Sequence, residues 1–150
     1  MEIIKKLFSQ SPEKIYIGFE DIKYAITNRG NYIIINTLSV MNQECLISGT
    51  LPSSAEEGVI NSMIESSTYT TIILYGKNSA DETVITKKNQ LKNLGFSHVY
   101  IYGGGLFEWL LLQDIYGVAE FPTTTKCKDI LKFRPESIMP RFSLKALSYN

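Results

Sequence analysis

The sequence predicts an α/β domain built on a central, mostly parallel five-stranded sheet with helices on both faces. Two runs carry most of that prediction. "YIIIN" (Tyr32 to Asn36) and "TIILY" (Thr71 to Tyr75) are rich in β-branched residues and apolar at successive positions, as a strand buried on both faces requires. The third observation is alternation: between such runs lie segments whose apolar residues recur with helical period, the signature of strand–helix–strand units.

In chain order, the strand candidates are Ile15 to Ile17, Tyr32 to Ile35, Glu44 to Ile47, Thr71 to Tyr75 and Val99 to Tyr102. The first helix is expected over Phe19 to Asn28, with Phe19, Ile22, Ala25 and Ile26 on one face and a glycine stop at Arg29-Gly30. A second helix is expected after Ser53 or Ser54, capped by one of them with Glu56 or Glu57 closing a capping box, and striped by Val59, Ile60, Met63 and Ile64. The third runs from about Asp81 to Leu94, burying Val84, Leu91 and Leu94 and stopping at Gly95. The fourth, Leu106 to Tyr116, is apolar nearly all round and is expected to be the most enclosed.

Beyond Gly117 the composition shifts, and three of the five prolines fall in the last thirty residues. The chain therefore divides into an N-terminal extension (1–14), a domain (15–120) and a C-terminal arm (121–150) that wraps the domain or meets a partner. Ile3, Ile4, Leu7 and Phe8 at one end, and Phe142, Leu144 and Leu147 at the other, make short apolar stripes suited to packing on the domain or to a homodimer contact.

Composition excludes several functions. Lys+Arg and Asp+Glu are 15 each, which gives no electrostatic footprint for nucleic acid or anionic lipid. No apolar run approaches the roughly 18 to 20 residues that span a bilayer, and "MEIIKKLFSQSPEK" lacks the features of a secretory signal. The two cysteines, Cys45 and Cys127, lie 82 positions apart with only His98 as an imidazole partner, so neither a metal site nor a disulfide framework is expected. A cytoplasmic protein without cofactor or metal is the expectation. "GGGLFEW" has Glu108 where G-x-G-x-x-G needs its last glycine, and no G-K-[ST] occurs, so nucleotide binding is not expected either.

Two local blocks stand out. In "LGFSHVYIYGGGLFEW", Gly103, Gly104 and Gly105 let the chain turn from strand into helix and approach a neighbouring loop closely, and Trp109 has a structural role within the apolar helix. In "TIILYGKNSADE", a buried strand breaks at Gly76 into a polar loop, Lys77, Asn78, Ser79, Ala80 and Asp81. Ser79 with Glu82 forms a capping box there, and the carboxylates complement the next helix dipole.

Taken with "FEDIKYAI" and "ISGTLP", these blocks resemble the rhodanese-like superfamily over roughly Ile15 to Gly117. In such enzymes the resemblance implies a cysteine directly after the central strand, whose thiolate accepts a sulfane sulfur while loop N–H groups and a helix N-terminus hold the anion. A basic residue commonly closes that loop. In this chain Gly76 stands at the nucleophile position and Asp81 at the closing position, and Asn36 replaces the usual acidic residue, with Thr37 and Leu38 after it. Neither cysteine follows a strand and opens a helix, so neither is expected to replace the missing nucleophile. The reading is a catalytically inactive member acting as a binding or regulatory module for an unknown protein partner. The alternatives are a sulfurtransferase or other small-molecule enzyme that uses the degenerate loop with Lys77, Asp81 or Glu82 as acid or base, and an interaction protein acting through its tails.

Overall fold

The computed structural model describes residues 13–139, together with Glu2. The two terminal apolar stripes lie outside the described residues. Four strands form the sheet: β1 (Tyr16–Ile17), β2 (Tyr32–Asn36), β3 (Thr71–Tyr75) and β4 (Val99–Tyr102). Their spatial order is β1-β4-β3-β2, and every pairing is parallel.

Strand parity builds two cores. Ile34, Ile73, Tyr75 and Tyr102 face one side, where α1 (Phe19–Thr27) and α4 (Gly105–Tyr116) cover them with Ile22, Ala25, Leu106, Trp109 and Leu110. Ile35, Ile72, Leu74 and Ile101 face the other, under Ile60 and Met63 of α2 (Ser53–Glu65) and Val84 and Leu91 of α3 (Thr83–Asn93). Apolar residues at both parities of β2 and β3 are thus explained by burial on both faces.

The fifth expected strand does not form. Glu44 to Ile47 makes a single antiparallel bridge, Ile47 to Thr123, and then turns: Thr50 N–H donates to Ile47 O at 3.1 Å, with Gly49 at φ +90°. The left-handed glycine ends the extended run before it can lie along β2. The segment instead returns to the sheet edge through Leu51 N–H to Ile34 O (2.7 Å), while Leu46 O accepts Thr124 N–H of the arm at 2.8 Å.

Helix ends also depart from expectation. α1 stops at Thr27, and Asn28, whose side-chain amide donates to Tyr24 O at 2.8 Å, ends it ahead of Gly30. At α2 the N-cap is Pro52, which puts Ser53 inside the helix and leaves neither serine in a capping box. Glu56 pairs instead with Lys87 of α3. α3 does end before Gly95, but Leu94 is about half exposed because it sits past the stripe defined by Val84 and Leu91. α4 is enclosed only along Leu106, Trp109 and Leu110; Ile115 and Tyr116 near its end stand in solvent at 71% and 64% exposure.

Phe121 and Phe133 of the arm are both core residues at 3% exposure. Trp109 Nε1 donates to Pro122 O (3.1 Å), Gln113 Nε2 donates to Phe121 O (2.7 Å), and Lys23 pairs with Glu120 while lying over the Phe121 ring. The arm then closes in a short 3₁₀ turn, Ile130–Phe133.

Candidate functional site

The loop Gly76 to Glu82 leaves the C-terminal end of β3, an inner strand, between β2 and β4. Crevices beyond the carboxyl ends of parallel strands are where such sheets place ligands. A cavity of about 330 Å³ lies there, lined among others by Tyr16, Asn78, Asp81, Glu82, Ile101 and Gly103.

Gly76 is buried. A Cβ on it would stand 2.8 Å from Asp81 Cγ and 3.1 Å from Thr37 Oγ1, so any side chain at this position requires the Asp81 carboxylate to move. That carboxylate is well held. Its Oδ2 accepts Lys77 N–H at 2.8 Å, and its Oδ1 accepts Thr83 N–H at 3.0 Å and the Thr83 hydroxyl at 2.6 Å. Thr83 Oγ1 also lies 2.8 Å from Thr37 Oγ1, tying the start of α3 to the end of β2.

The expected capping box of Ser79 and Glu82 is absent. Ser79 is exposed, Glu82 is itself the N-cap of α3 without a side-chain bond, and Asp81 supplies the acceptor through a two-residue turn. Asp81 faces inward over Gly76 because the glycine leaves room for it, and this gives its carboxylate two backbone donors at once.

Asn78 and the loop carbonyls are equally committed. Asn78 is buried; its Oδ1 accepts Ala80 N–H at 2.9 Å and its Nδ2 donates to Phe133 O of the arm at 2.9 Å. Leu106 N–H donates to Gly76 O and Phe107 N–H to Lys77 O, both at 3.0 Å. The first N–H groups of α4 therefore hold loop carbonyls. Gly105 makes this docking possible: its φ is +64°, and a Cβ would stand 2.7 Å from Gly76 O. Trp109 is fully buried and bonded to the arm.

Among the described residues, the ion pairs are Lys23 with Glu120, Lys87 with Glu56 and Lys92 with Glu13, none of them in the loop. No group of three or more His, Cys, Asp or Glu side chains is gathered in metal-binding geometry among them. Cys45 and Cys127 line a different cavity from the loop's. His98 is exposed beside Ser97. Asn36, at the end of β2, is buried and exchanges hydrogen bonds with Gln43 (3.0 and 2.8 Å), so it supports the β2–α2 connection. Thr37 and the Phe133 carbonyl belong to the site although the local sequence gives no sign of it, because their partners lie tens of positions away.

This architecture has solved counterparts. BH2092 of Bacillus halodurans matches at TM-score 0.55 and 18% identity, covering 95% of this chain and 94% of that one. A protein from Lactobacillus plantarum matches at TM-score 0.52 and 19% identity over 75% of this chain and 91% of its own. Alr3790 of Anabaena sp. matches at 0.51 and 20% identity over 89% of both chains. The chain thus shares the fold of these proteins. No protein-family model matches the sequence, and no curated protein matches it.

Proposed function

We propose that this protein is a catalytically silent rhodanese-like domain serving as a binding or regulatory module. One observation carries the reading: the Asp81 carboxylate fills the space above Gly76 and takes the Lys77 N–H. A sulfurtransferase needs a thiolate at that point and free donors to hold an anion. Here the anion is built in, and a second carboxylate, Glu82, lines the same cavity. Thiosulfate or a persulfide would meet like charge, whereas a small neutral or cationic ligand would not.

The test is thiosulfate-to-cyanide transfer. Wild type is expected to release no thiocyanate. Gly76→Cys alone is also expected to be inactive, because the new Cβ meets Asp81. The fair reconstruction is Gly76→Cys with Asp81→Gly, which vacates both the space and the donor; we expect it to exceed the single variant at least about 10-fold. Wild-type turnover that Cys45→Ser or Cys127→Ser abolishes would overturn the proposal.

A docking role has its own support. Val40 and Met41, in a short 3₁₀ turn after β2, are each 91% exposed, an apolar pair with nothing over it among the described residues. The cytoplasmic setting and a protein partner belong to this same reading.

A further inference from the structure

The two cysteines, remote in sequence, are neighbours in the fold. Cys45 lies in the β2–α2 connection, 7% exposed and part of a core cluster; Cys127 lies on the arm, half-buried against that cluster. Cys45 Sγ reaches the arm two positions before Cys127, and both cysteines pack on one cluster. Each also reaches a carbonyl of the arm, Cys45 Sγ donating to Thr125 O and Cys127 Sγ to Asp129 O, both at 3.4 Å. Both line one cavity of about 340 Å³ that ends at Phe133. Phe133 O in turn accepts the Asn78 side-chain amide of the site loop.

We infer that Cys45 and Cys127 form a reversible disulfide when the protein meets hydrogen peroxide, and that this bond latches the arm, and through Phe133 the Gly76 loop, to the body of the domain. This inference does not depend on the loop being catalytically silent. Accessibility assigns the roles. The Cys127 thiolate, the more exposed sulfur, attacks one peroxide oxygen; the O–O bond breaks, hydroxide leaves and takes up the thiol proton as water, and Cys127 becomes a sulfenic acid. The Cys45 sulfur then attacks the Cys127 sulfur. The S–O bond breaks, hydroxide leaves with the Cys45 proton as a second water, and the disulfide forms. Two thiols lose two electrons in all, and one peroxide gains them.

Burial, followed by the neighbouring Cys127 sulfur, pushes the Cys45 thiol above the usual cysteine range. A thiol held that way is poorly suited to attack peroxide first. The bond would close a loop of 82 positions between a connection and an arm that otherwise touch through a few hydrogen bonds, so its main effect falls on the unfolded chain.

The experiment uses the full chain, treated with hydrogen peroxide, thiol-blocked and digested without reductant. Expected are loss of both free thiols, a Cys45–Cys127 linked peptide, recovery with dithiothreitol, and a Tm higher by about 5 °C or more in the oxidised form. Cys45→Ala should leave Cys127 trappable by dimedone as the sulfenic acid, and Cys127→Ala should leave Cys45 reduced. Sulfinic acid on Cys127 with Cys45 still free, or dimers linked through Cys127, would overturn the disulfide. Amide exchange at Lys77 to Ala80 should slow several-fold on oxidation and recover on reduction; a disulfide that leaves those rates unchanged would overturn the latch.

Discussion

At residue scale, the chemistry of the site follows from one exchange of space. Gly76 contributes no side chain, and Asp81 uses the vacancy, gaining Lys77 and Thr83 as partners. Tyr75, just before the loop, anchors it from the other side: its hydroxyl accepts Ile47 N–H at 3.2 Å and lies 2.7 Å from Thr50 Oγ1. Tyr75→Phe leaves that buried N–H without an acceptor and should lower stability by about 1–3 kcal/mol in chemical denaturation. Gly105→Ala meets both a left-handed φ and the Gly76 carbonyl, and should cost about 2 kcal/mol or more, with faster amide exchange at Leu106 and Phe107. The glycine block was legible in the sequence, because three glycines between an apolar strand and an apolar helix leave few other uses. The Asp81 contact was not, since nothing local shows that a carboxylate five positions after Gly76 folds back over it.

At the scale of elements, the arm matters more than its composition suggests. Phe121 and Phe133 complete the core around Trp109, and the turn ending at Phe133 holds Asn78. Phe133→Ala should therefore cost about 3–5 kcal/mol and also loosen the loop, read as faster exchange at Ala80. A drop in stability with unchanged exchange at the loop would separate core packing from loop support. The strands β2 and β3 were legible because two buried faces demand uninterrupted apolar residues. The Glu44 to Ile47 segment misled for the same reason: its residues Cys45 to Ile47 are apolar and buried, but their burial comes from the arm. Apolar character reports burial and does not report which neighbour provides it.

At the scale of the whole molecule, buried phenols set the alkaline limit. Burial holds Tyr75 and Tyr102 well above the ordinary tyrosine range, with the Glu108 carboxylate adding to the effect at Tyr102. A raised folded pKa contributes stability that is fully present below the unfolded value and is lost as pH rises above it. Tm should therefore hold between about pH 7 and 9 and fall above about pH 10. Tyrosinate absorbance of two residues should appear only with unfolding; their titration in the folded protein would refute the assignment. Homodimer formation through the terminal stripes is tested by light scattering of the full chain against variants lacking 1–12 or 137–150, with loss of the larger mass as the expected result if the stripes join two copies. No helix among the described residues is long and apolar enough to cross a membrane.

The sequence by itself determined the α/β class, the inner strands, the approximate helices and the absence of a thiol after β3, because each of these is fixed by local period or by residue identity. Tertiary structure alone decided that the sheet has four strands, that Asp81 closes over Gly76, that Asn78 holds the arm, and that Cys45 and Cys127 line one cavity. Each of those contacts joins groups whose separation along the chain carries no periodic signal, or depends on a side-chain direction that the backbone sets only once the sheet has formed.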